Sequence, residues 1–530
     1  MQLALSFSTL LASVLLLLSA ADVQAVPVKR SKTITLPLTR IHQNRGDVHP
    51  SVLLQQHINR GQRRIARMKG VSPPSKRDLE EAILKRLYIP QNGRPHFKRF
   101  NRGGTASHPN SLVEEDEDEA DDEDAEDDET SELSALGHKH KTPATDTNEA
   151  ARKKKGKGGN ATAAAAAGTN VVSSSTAAAA AKANLTPASD PTGNNSLGLD
   201  IEGSDVGYIA TVQMGTPPQD YRLLMDSGSA DLWVAGESCQ SEGGGTCGPH
   251  TTLGTTSSSS FKDSGKAFEV TYGTGHVTGT IVTDDITVAG LTLSAHSFGA
   301  AATESTDFSD SSVPFDGLMG LAQSTLSNQQ VLTPVESMAK AGLITDAITS
   351  YKISRVSDGT NDGEITFGGL DETKFDSATL TTFNNAASGQ AAGFWEGAMD
   401  AVTVDGTDTG LTGRTAILDT GTTLIIAPTA DADAVHKLIS GAQSDGQGGF
   451  VIPCNTNSTV ALSFGGTSFD ISTKDLVFAQ ADNTGTNCIS GISSGQIIDA
   501  TTWLVGDVFL KNAYFSTDVT KNTISLAKLV

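Results

Sequence analysis

Two aspartates, Asp226 and Asp419, stand 193 residues apart in matching surroundings. Each ends an apolar run, is followed by hydroxyl, glycine and hydroxyl residues, and gives way to a second apolar run. The first unit is Ser227-Gly228-Ser229 after the acid, and the second is Thr420-Gly421-Thr422. One such turn is an ordinary loop. Two in register, brought face to face by a pseudo-twofold, would hold two carboxylates too close for both to ionise, so one pKa falls, the other rises, and the pair shares a proton. The ionised member can take a proton from a water held between them while the protonated member donates to a carbonyl oxygen. That is amide hydrolysis without a protein nucleophile, metal or cofactor. Gly228 and Gly421 allow backbone N–H groups to approach the carboxylates, Ser229 and Thr422 place hydroxyls at their outer oxygens, and Ser227 and Thr420 are placed to lock the loops together.

The elements that must position these residues repeat as well. A glycine closes an apolar strand 94 residues after Asp226, at Gly320, and another lies 87 residues after Asp419, at Gly506. The second half therefore reads as an internal repeat of the first, one acid per half. Asp316 and Asp507, beside those glycines, read as structural, hydrogen-bonding nearby backbone. Residues 270–279 are two β runs around a glycine-rich tip, with Tyr272, Gly273 and Thr274 at its front: a mobile hairpin able to close over an extended peptide.

With 53 Gly and only 5% aromatic residues, the chain suits an all-β protein with many turns. Alternating runs at 208–214, 268–272, 279–288 and 364–367 predict strands, and helical periods are confined to 333–341 and 432–438. The net charge of −22 is unevenly spread. From residue 196 onward there are 13 Lys/Arg against 38 Asp/Glu, whereas residues 1–112 hold 18 against 5. A basic leader on an acidic body predicts association at neutral pH and separation as carboxylates protonate, and the sign of the body disfavours nucleic acid.

Residues 1–25 read as a signal peptide, apolar through residue 21 and closing on a small-residue cleavage pattern; the apolar core is short for a membrane anchor. Residues 26–195 read as propeptide and low-complexity linker with an acidic tract at 114–129, a solvated spacer. A helix is expected around 78–88, begun by Pro74 and Ser75. Residues 196–385 and 386–530 are expected to form two β lobes with the site in the cleft between them. The four cysteines, Cys239, Cys247, Cys454 and Cys488, allow three pairings; proximity favours Cys239–Cys247 and Cys454–Cys488, with a metal site the weaker reading since no clustered histidines accompany them. Asn160, Asn184, Asn194 and Asn457 sit in glycosylation sequons.

The body resembles a pepsin-like aspartic endopeptidase, most similar to secreted fungal members, over about 196–530. The resemblance rests on Asp-Ser-Gly-Ser-Ala-Asp-Leu-Trp from Asp226, Tyr-Gly-Thr-Gly from Tyr272, Phe-Asp-Gly-Leu-Met-Gly-Leu from Phe315, Leu-Asp-Thr-Gly-Thr-Thr from Leu418 and Trp-Leu-Val-Gly-Asp from Trp503, in family order. It implies that Asp226 and Asp419 are the catalytic pair, that Tyr272 is the flap tyrosine with Trp233 as its indole partner, that the suggested cysteine pairing holds, that the protein is a monomer, and that polypeptides are the substrates. Ser227 stands where the family usually has Thr, keeping the hydroxyl. Thr274 stands where members accepting Lys before the cleaved bond commonly have Asp, so bulky apolar residues are expected around the scissile bond. The leader is expected to act as an intramolecular inhibitor, with Lys85 a candidate to reach the carboxylates, and export is expected to the medium or the vacuole. The competing readings are an inactive relative that binds peptides without cutting, which would lack one Asp or the flap Tyr, and a wall-bound protein, which would need an anchor or a Ser/Thr-rich tail.

Overall fold

The computed structural model describes residues 50–68, 74–87 and 185–530, apart from 204, 273, 274, 483 and 496. The signal peptide, the acidic tract, Asn160, Asn184, Gly273 and Thr274 lie outside the described residues. The body is all-β, as the composition and alternating runs predict, in sheets of nine, six, five, four and four strands.

The repeat seen in sequence is a repeat of topology. In the first half, β1 (Gln219–Asp226) and β2 (Leu232–Ser241) leave the Asp226 turn, and the flap hairpin follows as β3 (Lys262–Thr271) and β4 (His276–Val288). Then β5 (Gly317–Gly320) inserts between β1 and β2, parallel to the first with Gly320 opposite Asp226, and antiparallel to the second with Leu318 opposite Trp233. In the second half β6 (Arg414–Leu418) and β7 (Ile425–Ala427) flank the Asp419 turn, and β8 (Thr502–Val505) inserts in the same way, parallel to β6 and antiparallel to β7. Each acid thus sits at the carboxyl end of a central strand, fixed from both sides by a continuous apolar ladder. The six-stranded sheet combines strands Ser196–Gly198, Ile348–Lys352, Glu364–Phe367 and Thr381–Asn384 with Tyr514–Asp518 and Thr523–Ala527, tying the end of the chain to the first half.

The predicted strands and both body helices are present, the latter at Pro334–Lys340 and Thr429–Leu438. Thr333 and Glu336 form a reciprocal capping box on the first of these, the arrangement that satisfies two otherwise orphaned backbone donors. Ordered packing of the body begins before residue 196: Leu185–Thr186 pairs with Asp200–Glu202, and Glu364 accepts from the Thr192 and Gly193 amides.

Among the described residues ahead of the body are two helices, α1 (Pro50–Met68) and α2 (Lys76–Leu87). The start of α2 follows the expectation: the Asp78 carboxylate accepts from the Ser75 amide and hydroxyl, and the Asp78 amide donates back to the Ser75 hydroxyl. Asn59 of α1 donates to the Leu79 carbonyl, joining the two helices. Leu54 and Ile58 of α1 are buried in the main core of the body. Among the described residues no helix is long and apolar enough to cross a membrane.

Candidate active site

Asp226 and Asp419 are buried, 1% and 0% exposed, and their surroundings repeat atom for atom. Asp226 Oδ1 accepts from the Gly228 amide at 3.0 Å and Oδ2 from the Ser229 hydroxyl at 2.5 Å. Asp419 Oδ1 accepts from the Gly421 amide at 2.9 Å and Oδ2 from the Thr422 hydroxyl at 2.7 Å. Between the turns a symmetric lock forms. The Ser227 amide donates to Thr420 Oγ1 and the Thr420 amide to Ser227 Oγ, each at 2.9 Å. Each hydroxyl then donates across to the opposite half, Ser227 to the Leu418 carbonyl and Thr420 to the Met225 carbonyl. The glycines are needed for closeness rather than for unusual dihedrals: a Cβ on Gly228 would lie 2.5 Å from Asp419 Oδ1, and one on Gly421 would meet Asp226 Oδ1.

The flap side is aromatic. Tyr272 Oη accepts from Trp233 Nε1 at 2.9 Å. Both rings also pack on Phe308, which sits in α3 (Thr306–Ser309) at 5.6 Å from Tyr272 and 5.3 Å from Trp233. Trp233 is therefore both a core residue, 1% exposed, and the hydrogen-bond donor to Tyr272.

The cation at the carboxylates is one that sequence reasoning missed. Arg64 of α1 spans the pair, with Nη2 2.5 Å from Asp226 Oδ1 and Nε 2.5 Å from Asp419 Oδ2. Its Nη1 donates to the Gly421 carbonyl at 3.4 Å. The place expected for Lys85 is taken by Arg64, and the Lys85 side chain lies outside the described residues. A guanidinium suits the position, since its planar fork reaches two carboxylates at once where an ammonium offers a point charge. The available signal was the spacing of Arg60, Arg63 and Arg64 at i, i+3 and i+4, one face of a helix.

Burial would raise the Asp226 pKa, but the Arg64 charge and the hydrogen bonds from Ser229, Arg64 and Gly228 outweigh it and hold this carboxyl below the usual range. At Asp419 burial prevails, opposed by Arg64 and reinforced by the negative Asp226, and the carboxyl is pushed up to about 6. The pair is thus split in the sense expected of two carboxylates in one site.

Both favoured disulfides are formed, Cys239–Cys247 and Cys454–Cys488. Glu304 lies close to the first pair, but both sulfurs are committed to the disulfide. Asp316 behaves as expected, accepting from the Arg222 and Thr251 amides and pairing with the Arg222 guanidinium. Asp507 does not: it is fully buried, neither carboxyl oxygen has a hydrogen-bond partner, and burial pushes its pKa well above the ordinary value. It opens the short helix Asp507–Leu510, where its backbone amide donates to the Thr422 carbonyl while its carboxyl oxygens meet no donor. Asn194 and Asn457 are both exposed.

The family model for eukaryotic aspartyl proteases matches residues 207–529, and the chain belongs to that family. Among curated proteins it is 39% identical over 340 residues to a probable aspartic-type endopeptidase CTSD of Arthroderma benhamiae, covering 64% of each chain. It is 37% identical to the aspartic-type endopeptidase ctsD of Aspergillus fumigatus, over 65% of this chain and 70% of that one. To rhizopuspepsin of Rhizopus chinensis it is 34% identical, over 59% of this chain and 76% of the relative. The chain thus spans somewhat under two thirds of the length of the Arthroderma protein.

Proposed function

We propose that the protein is an aspartic endopeptidase made as a zymogen, with Asp226 and Asp419 as its catalytic pair. The observation that carries this reading is the pair of buried carboxylates with matched amide and hydroxyl donors. Once Arg64 has left, the two adjacent buried carboxyls share one proton, with Asp226 taken as the ionised base and Asp419 as the protonated acid. Water attacks the peptide carbonyl carbon as its proton passes to Asp226 and the Asp419 proton passes to the carbonyl oxygen, giving a neutral gem-diol. Asp226 then returns its proton to the amide nitrogen while Asp419 takes up one gem-diol hydroxyl proton, so the C–N bond breaks, releasing a carboxylic acid and an amine and restoring the pair. Ser229 and Thr422 hold the outer oxygens so that the inner ones face the water. Tyr272, Trp233 and Phe308 form an apolar wall that favours bulky hydrophobic residues beside the scissile bond.

Residues 196–385 and 386–530 are the two lobes of this reading, with Ser227 and Thr420 at their junction. Latency is supported by α1: while Arg64 occupies the carboxylates, neither water nor substrate can. Acid removes the carboxylate charge that holds it. Export behind residues 1–25, to the medium or a vacuole, and a monomeric mature enzyme complete the proposal.

The test is digestion of unfolded haemoglobin across roughly pH 2.5–7, bracketing carboxyl titration, with wild type, Asp226→Asn and a pepstatin-type inhibitor. Acid activity abolished by both the substitution and the inhibitor is expected. No activity at any pH after leader removal would turn the reading to a peptide-binding protein that keeps its carboxylates unused.

A further inference from the structure

The arginine face of α1 has partners besides the central carboxylates. Arg63 Nη1 lies 3.7 Å from Asp307 Oδ2. Arg60, one turn before Arg64, lies within the fields of both Glu202 and Asp307. Asp307 belongs to α3 and is the immediate neighbour of Phe308, so this carboxylate stands one residue from the aromatic wall that supports Tyr272. Glu202 ends the strand Asp200–Glu202, paired opposite Gly207 in the same nine-stranded sheet as β1. On another flank of α1, His57 packs edge-on to Phe478, and Gly61 lies against Ile426. Arg60 and Arg63 thus face acids of the first half, while Arg64 bridges both halves and His57 and Gly61 meet apolar residues of the second.

We propose that Glu202 and Asp307 are specificity determinants of the cleft, selecting substrates with a Lys or Arg on one side of the scissile bond, two or three residues away. The inference rests on the endopeptidase reading above. When α1 leaves, the two carboxylates lose the guanidinium groups of Arg60 and Arg63, and an extended substrate lying along the same groove restores that pairing. The register follows from lengths. Arg60 and Arg64 are about 6 Å apart along the helix axis at 1.5 Å per residue, and an extended chain covers that in about two residues at roughly 3.3 Å each. Apolar residues at the bond itself and a basic residue beyond it are compatible demands, because Phe308 and Asp307 are adjacent but distinct surfaces. The contacts are partly exposed, with the Arg63 and Asp307 side chains 24% and 53% accessible, so the preference is moderate and sensitive to salt.

The experiment uses the full chain, matured by acidification, and a set of peptides with one apolar cleavage site. Lys, Gln or Glu is placed in turn at each of four positions on either side of the bond, and kcat/KM is measured near pH 5 at low and high salt. Lys is expected to raise kcat/KM about three- to tenfold over Gln on one side only, through KM, with the gain reduced by salt. The Lys/Gln ratio should fall towards one in Glu202→Gln/Asp307→Asn. In Asp307→Lys the preference should turn towards Glu-containing peptides, a gain that misfolding cannot imitate. Equal cleavage of Lys and Gln peptides at every position by wild type overturns the proposal, as does a Lys preference that survives the double substitution. If no peptide is cut, neutral ones included, it is the endopeptidase reading that fails.

Discussion

The two turns are held by hydroxyls, and this is where single atoms matter most. Ser227 is fully buried and its hydroxyl both accepts from the Thr420 amide and donates to the Leu418 carbonyl. Ser227→Ala would leave a buried donor and a buried acceptor unpaired, each costing about 1–3 kcal/mol. A loss of roughly 2–4 kcal/mol is expected, read as a lower denaturant midpoint at unchanged slope. Ser227→Thr keeps both bonds and should cost far less, which distinguishes loss of the hydroxyl from mere crowding. This much was legible in the chain itself: hydroxyl, glycine, hydroxyl after each acid specifies an interlock once the two turns face each other. The Asp507 environment was not legible. An acid beside a strand-ending glycine has the same letters whether its oxygens find donors or, as here, are buried without them, which favours the protonated form.

At the scale of the element, α1 covers the carboxylates, with Arg64 lying against both. Its sequence carries a thin apolar stripe, Leu54 and Ile58, amid arginines and glutamines. Nothing in that pattern distinguishes a solvated leader from a helix whose stripe is buried by the body, because the partner surface is more than a hundred residues away. The start of α2 was legible for the opposite reason, its Ser75–Asp78 cap being local. The strands that carry the two acids were legible too, since β1, β5, β6 and β8 are apolar runs that end at or just before Asp or Gly in the same order twice. Arg64 is held by the two carboxylates and its own pKa is raised by them against the cost of burial, so no accessible acidity removes its charge. Titration of the carboxylates is then the step that loosens the helix. Arg64 favours their charged forms, so with it present more acid is needed. Arg64→Leu removes that stabilisation, and the pH of half-activation is expected to move upward, by about one unit if the guanidinium supplies about 1.4 kcal/mol of the hold. Arg64→Lys should fall between the two, keeping charge but losing the fork. Following leader release by gel against pH measures all three; coincident curves would remove Arg64 from the latch.

Taken whole, the molecule separates charge along its length and buries acid in its interior, and the two features set its pH range together. Glu304 is 1% exposed with neither carboxyl oxygen hydrogen-bonded, and burial, aided by the nearby Asp316, raises it to about 8. Asp507 is raised well above its ordinary value by burial as well, and Asp419 to about 6. All three bind protons more tightly folded than unfolded. Their contribution to stability is complete below the unfolded carboxyl range, near 4, and is lost as pH rises: through about 6 for Asp419, and by about 8 for Glu304. Mutual repulsion in a body with 38 acidic against 13 basic side chains from residue 196 onward acts in the same direction. The mature body should therefore be most stable in acid and lose on the order of a few kcal/mol between pH 4.5 and 8, a window in which the associated basic leader supplies the missing cations. Glu304→Gln replaces the buried carboxyl with a group that stays neutral at every pH. Melting temperatures measured from pH 4 to 8 should show the variant close to wild type in acid and more stable than it at pH 8. A constant offset between the two across that range would mean that Glu304 carries no share of the alkaline instability and would leave Asp507 and the surface repulsion as its source.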